Sequence, residues 1–208
     1  MIRVHHLNES RSQRILWLLE ELEVPYEIVR YQRNEKTRLA PPELKAVHPL
    51  GKSPVIEDGA VKIAESGAIV EYLLAQHGKG RLAPAPGSAN WPAYIEWLHY
   101  AEGSAMLPLL LKMYTMRLGE AAAPLQPRIE GELENNLAYV AGALGERAFL
   151  LGDELTGADI QMSFVCEAAR AFGKLAAHPN LSAYLDRLHG REAWKRAVEK
   201  GGAYQLGA

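Results

Sequence analysis

His48-Pro49-Leu50-Gly51-Lys52-Ser53-Pro54-Val55-Ile56-Glu57-Asp58-Gly59-Ala60-Val61-Lys62-Ile63-Ala64-Glu65-Ser66-Gly67 is the stretch whose reading decides the fold. Pro49-Leu50-Gly51 breaks whatever precedes it. Val55–Glu57 and Val61–Ala64 are short apolar-rich runs, and Asp58-Gly59 between them is a hairpin turn signal. Glu65-Ser66-Gly67 then opens a helix whose apolar residues are Ile69, Val70, Tyr72, Leu73 and Leu74. A hairpin running straight into a helix ends a small mixed domain.

Toward the N-terminus, Ile2–Leu7 suits a strand, and Asn8, Glu9, Ser10 and Ser12 offer turn and helix-cap chemistry. Ile15, Leu18, Leu19 and Leu22 fall at i, i+3, i+4 and i+7, the apolar stripe of a helix that Pro25 ends. Tyr26–Tyr31 is the next strand, Arg33–Arg38 a charged, solvated loop, and 41–47 a short helix. Residues 1–77 therefore read strand-helix-strand, helix, strand-strand-helix.

Toward the C-terminus the composition shifts. Gly78, Gly80, Pro84, Pro86, Gly87 and Pro92 cluster, which marks residues 78–90 as an inter-domain linker. Everything from 91 to 208 reads as helix. Trp91–Leu118 carries Trp91, Tyr94, Ile95, Leu98 and Ala101 on one side, with Pro108 as the expected kink. Helices over 124–144, 156–172, 179–189 and 192–199 follow, with no strand pattern or internal repeat.

The chain has 208 residues, 48% of them hydrophobic and 23% charged, enough to bury a core without disulfides or metals. A net charge of −2 without a basic block argues against a nucleic-acid partner. The single cysteine, Cys166, permits no intrachain disulfide and no cysteine-rich zinc site. No apolar run reaches the ~20 residues of a membrane span, and the N-terminus lacks the apolar core of a signal peptide. A soluble, cytoplasmic protein is expected.

Three segments, in order, resemble the soluble glutathione S-transferase family, and the first is most similar to its bacterial and fungal GTT1-like group. They are Leu7-Asn8-Glu9-Ser10-Arg11-Ser12-Gln13-Arg14 leading into Ile15–Leu22; His48–Ile56 followed by Ala64-Glu65-Ser66-Gly67-Ala68-Ile69; and Phe149–Ile160. The resemblance runs along nearly the whole chain. It implies an α/β thioredoxin-like N-terminal domain that binds glutathione as co-substrate, plus an all-α C-terminal domain, with a small electrophilic second substrate and a homodimer.

The resemblance also implies site residues, each with a physical reading beside it. Pro54 is the expected cis-proline, leaving the Ser53 main chain to pair with the tripeptide as an added strand would. Glu65 and Ser66 begin a helix whose free N–H groups and Ser66 hydroxyl suit the γ-glutamyl carboxylate, with Glu65 near its ammonium. The bland reading of the pair is an ordinary acidic helix start. Lys52 would neutralise the glycyl carboxylate. Ser10 stands where the family's theta- and delta-like classes keep their catalytic serine, with Ser12 and Arg11 as alternatives at the same helix start. A hydroxyl donor there favours thiolate over thiol. His5 and His6 occupy the place where other classes carry a tyrosine, and no cysteine precedes Cys166, so those chemistries do not fit.

Other sharp readings fail. Gly51-Lys52-Ser53 lacks the earlier glycine of a phosphate loop, because position 46 is Ala46. The histidines show no metal-ligand spacing, so no metal is expected. Thr156-Gly157-Ala158-Asp159 is a capping box, and removing Asp159 should cost about 1 kcal/mol or more. Met106, Leu110, Met113, Tyr114 and Met116 are candidates for an electrophile pocket, although such spacing is commonly plain core. The rival reading is a non-catalytic module on the same fold, as in stress or translation-associated proteins. An isomerase or dehalogenase variant is a third reading.

Overall fold

The structure is a computed structural model that describes residues 1–206. By internal contacts it divides into two compact units, residues 1–83 with 188–206, and residues 84–187.

The first unit is built on four strands, β1 (Ile2–Leu7), β2 (Tyr26–Tyr31), β3 (Val55–Asp58) and β4 (Val61–Ala64), in the order β2-β1-β3-β4. β1 runs parallel to β2 and antiparallel to β3, so Val4 lies beside both Ile28 and Ile56. The parallel β1–β2 pair needs a crossover, which α1 (Ser12–Leu22) supplies. β3 and β4 form the hairpin read from Asp58-Gly59: Asp58 pairs with Val61, and Gly59 takes a φ of +60° at the first loop position. The short α2 (Leu44–Val47) precedes the hairpin and α3 (Ser66–His77) follows it.

α1 is buried on almost every side, including Trp17, Leu16 and Leu18. A helix covered all round needs neighbours on several faces. One is α9 (Glu192–Gly201), which the sequence reading placed in the all-helical half but whose contacts group it with the first unit. Periodicity announces its apolar face without naming the partner. Trp194 meets Trp17 edge-on at 5.3 Å between ring centres. Arg191 forks onto Glu21 at 2.5 and 2.9 Å, and Arg196 and Lys200 reach Glu20 at 3.0 and 2.5 Å. Gly201 closes the helix where the chains approach: a Cβ there would stand 2.7 Å from Gln13 Oε1 and 2.9 Å from Leu16 Cδ1.

The second unit is helical: α4 (Trp91–Tyr100), α5 (Met106–Thr115), α6 (Gln126–Leu144), α7 (Gly157–Ala171) and most of α8 (Pro179–His189). The run read as one helix kinked at Pro108 is instead divided by a π turn at Ala101–Ala105 and followed by a 3₁₀ segment at Met116–Ala122. Pro108 itself is buried in the first turn of α5, and the wider turn upstream accommodates its missing N–H. α7 is the core helix, with Ile160, Met162 and Val165 fully buried. Its start is the capping box: Asp159 accepts from Thr156 N and Oγ1 at 2.8 Å each, from Leu150 N at 2.9 Å and from Tyr184 O–H at 2.8 Å. Burial pushes the Asp159 carboxyl above the usual carboxylate range although all four bonds oppose that. Among the described residues no helix is long and apolar enough to cross a membrane.

Candidate functional site

The loop from β1 into α1 carries Ser10, and its geometry is tightly specified. Glu9 takes a φ of 48°, turning the chain sharply at the strand end. Arg33 holds the loop from below: its N–H donates to Asn8 Oδ1 at 2.8 Å, and its guanidinium to the Asn8 and Glu9 carbonyls at 3.1 and 3.3 Å. The first residue of the expected solvated loop is thus a structural clamp. Ser10 is buried, its hydroxyl 2.8 Å from both the Leu7 carbonyl and Ser12 Oγ, and its oxygen accepts from Ser12 N at 3.2 Å. α1 has no side-chain cap of its own at Arg11.

Ser12 is fully buried and spent inward: its hydroxyl meets His6 Nδ1 at 2.8 Å and accepts from Leu7 N at 3.3 Å. His6 is itself buried, and desolvation, helped by the Arg30 charge, lowers its pKa to about 4 against an opposing bond to the Gly201 main chain. The imidazole is therefore neutral at ordinary pH. Among the two serines, Ser10 stands nearer the surface of this network.

Ser53 joins the same place from the loop just before β3, the strand paired with β1. Its hydroxyl donates to the His5 carbonyl at 2.8 Å and accepts from Leu7 N at 3.2 Å, so Leu7 N–H is shared between Ser12 and Ser53. Among the described residues the Ser53 main chain makes no backbone hydrogen bond. The Ser53–Pro54 peptide is cis, and Pro54 is buried. Lys52 beside it is exposed.

At the start of α3, Glu65 is exposed with φ 66° and ψ 114°, and supplies no side-chain cap. The first turn closes with Ile69 N on the Glu65 carbonyl at 2.9 Å, which leaves the N–H groups of residues 66–68 outside the helix ladder. Ser66 is buried and its hydroxyl oxygen accepts from the Arg14 guanidinium, itself almost fully buried on α1. Ser10, Ser53 and Ser66 are thus all tied to β1 or α1, while Lys52 and Glu65 stand exposed. The sequence pattern by itself assigns no role to Arg14 or His6. The signal for Arg14 was a cation four residues before Leu18, on the buried stripe.

Cys166 is buried inside α7, and desolvation pushes its thiol up to about 12, which makes it an inert core residue. Among the described residues no three His, Cys, Asp or Glu side chains gather as metal ligands.

With this geometry in view, the sequence matches two family models: "Glutathione S-transferase, N-terminal domain" over residues 1–75 and "Glutathione S-transferase, C-terminal domain" over residues 91–192. The chain belongs to the glutathione S-transferase family. It is 33% identical over 226 residues to glutathione S-transferase 1 of Saccharomyces cerevisiae, covering 98% of this chain and 96% of the yeast protein. The crystal structure of a glutathione S-transferase from Actinobacillus pleuropneumoniae shares 35% identity and superposes with a TM-score of 0.91, over 99% of this chain and 95% of that one. A family member from Pseudomonas fluorescens, solved with two glutathione molecules bound, is 27% identical with a TM-score of 0.79, over 95% and 92% of the two chains. The transferase fold is thus an α/β thioredoxin-like domain followed by an all-α domain. The N-terminal match spans β1 to α3, and with them Ser10, Lys52, Ser53, Pro54, Glu65 and Ser66.

Proposed function

We propose that the protein catalyses nucleophilic attack of the glutathione sulfur on a small electrophilic substrate, with peroxide reduction as a side activity. The observation that carries the reading is the start of α1. Arg11 at its cap position supplies no side-chain cap, and the hydroxyl of Ser10, one residue earlier, sits at the helix start on a network shared with Leu7 and Ser12. The solved relative with glutathione bound supports the choice of thiol.

The chemistry follows from the sulfur. A thiol with a pKa of about 8.5 is only a few per cent ionised at neutral pH. A hydrogen bond donated to the anion and the positive end of a helix both lower that value. Ser10 is the donor in this reading. Ser10 is preferred to Ser12 here because Ser12 is fully buried and its hydroxyl meets His6, whereas Ser10 keeps a slight exposure and turns its proton from the Leu7 carbonyl to the sulfur. The Ser53 main chain pairs with the cysteinyl backbone, Ser66 and the α3 start take the γ-glutamyl carboxylate, Glu65 faces the ammonium and Lys52 the glycyl carboxylate. Binding both substrates together then accounts for much of the rate gain. The protein works as a cytoplasmic detoxification enzyme and a homodimer.

Ser10→Ala tests this. Turnover of an electrophile falls about 100-fold, as for loss of one preorganised donor to an anion, while glutathione affinity stays within about threefold. Unchanged turnover moves the role to another donor. The reading as a bare scaffold is not favoured, since that role needs neither open N–H groups at the start of α3 nor a main chain at Ser53 without backbone hydrogen bonds among the described residues. A scaffold would pass unretarded through immobilised glutathione, and this protein is expected to be held.

A further inference from the structure

We infer that Arg14 is a positioning residue for the γ-glutamyl carboxylate, acting through the hydroxyl of Ser66. The inference rests on the reading of Ser66 as a carboxylate ligand and goes beyond it by assigning the group behind Ser66. Arg14 lies on α1 and Ser66 at the start of α3, 95% buried, and the bond between them runs in one direction only. A guanidinium has donors and no acceptor, so Ser66 Oγ must accept.

That direction has a consequence. A serine hydroxyl owns one proton and two lone pairs. With a lone pair occupied by Arg14, the Ser66 proton is left to donate elsewhere, and among the described residues no side chain or carbonyl takes it from Ser66. The hydroxyl is therefore preset as a donor beside the N–H groups of residues 66–68, which also lie outside the helix ladder. Donors facing one point suit an anion, and a cation behind the hydroxyl polarises it further. Arg14 thus strengthens Ser66 as a carboxylate donor without touching the ligand. A short amine at this place would not do the same, because the guanidinium reaches Ser66 through its outermost nitrogen.

A plain strut between α1 and α3 would also use an arginine, so the test must separate the two. Calorimetric titration of the full chain with glutathione, and with its analogue lacking the γ-glutamyl α-carboxylate, gives a ratio of affinities. Arg14→Met is expected to lower that ratio about tenfold or more, the scale of one charge-assisted hydrogen bond, with affinity for the decarboxylated analogue changed less than about twofold. Ser66→Ala lowers the ratio similarly, and the double variant falls no more than about twofold below Ser66→Ala, because one residue acts through the other. Equal weakening toward both ligands, or an unchanged ratio, overturns the inference. If Ser66→Ala lowers the ratio and Arg14→Met does not, only the role of Arg14 falls. If Ser66→Ala leaves the ratio intact, the reading of Ser66 falls, and Arg14 with it. Should Arg14→Met not fold, Arg14→Lys reads the same ratio: a drop of about threefold or more supports the inference, and no drop overturns it.

Discussion

The helix starts of α1 and α3 differ in kind from that of α7. At α7, Thr156 and Asp159 close the capping box, and the Asp159 carboxylate collects four donors in a fully buried place. At α1 and α3 the cap residues Arg11 and Glu65 supply no side-chain cap, only Ser12 and Gln13 N–H of α1 being taken up, by Ser10, and a residue with positive φ, Glu9 or Glu65, turns the chain before the helix. Every helix start carries unpaired N–H groups, so a closed one is architecture and an open one is available to a ligand. All three starts have serine or threonine and an acidic residue close by in sequence. What separates them is how far the protein has spent its own acceptors there: a buried carboxylate at α7, one serine at α1, and none on the N–H groups of residues 66–68 among the described residues.

The largest expected effect breaks the closed start. Asp159→Ala leaves the N–H groups of Leu150 and Thr156 and the Tyr184 hydroxyl without their acceptor in a buried site. Unsatisfied buried donors cost ~1–3 kcal/mol each, so the total should reach about 3–5 kcal/mol, well above the ~1 kcal/mol of a lost cap alone. Denaturant unfolding measures it. A loss under about 1 kcal/mol would mean that water or relaxation replaces the carboxylate, and α7 would no longer differ from an ordinary capped helix.

How much of this was legible without coordinates depends on range. The strands of the first unit, the Asp58-Gly59 hairpin and the Thr156–Asp159 box are local patterns, and each stands where the sequence placed it. Ser10 and Ser66 were legible as helix-start residues for the same reason. The support behind them was not. Arg14 meets Ser66 only after α1 and α3 pack together, and the His6–Ser12–Ser10 chain depends on the turn at Glu9. α9 declares an apolar face in its sequence but not its partner. The match of Arg191, Arg196 and Lys200 to Glu20 and Glu21, with Trp194 edge-on to Trp17, assigns it to α1 in three dimensions. The π turn before α5 has no sequence signature of comparable strength.

A second prediction sharpens the contrast through pH. The open start of α1 rests on a neutral imidazole, whereas the closed start of α7 rests on a carboxyl. His6 binds its proton with a pKa of about 4 when folded and about 6.5 when unfolded, so below pH 6.5 the unfolded chain takes up a proton that the folded one refuses. Stability from this group is complete above pH 6.5, falls as pH drops toward 4, and then levels off, with a total of about 3.5 kcal/mol at ~1.4 kcal/mol per pKa unit. His5, also lowered chiefly by burial, adds in the same direction. The measurement is unfolding free energy against pH for the natural chain and for His6→Asn, whose difference isolates His6. Parallel curves would mean that His6 is not held neutral by the fold.

The smallest effect carries the opposite sign and tests the open start most directly. Glu65 has φ 66° with ψ 114°, a region costly for any residue with a Cβ, and its exposed side chain caps nothing. Architecture alone gives no reason to keep glutamate there. Glu65→Gly relieves the backbone, and although glycine loses more entropy on folding, a net gain of up to about 1 kcal/mol in unfolding free energy is expected. The same substitution removes the carboxylate proposed to face the glutathione ammonium, so affinity for glutathione should fall about tenfold, the scale of one exposed-to-partly-buried charged bond. Stability and binding then move in opposite directions through one side chain. A variant that is less stable and binds glutathione unchanged would make Glu65 a structural residue, and α3 would join α7 on the closed side of the comparison.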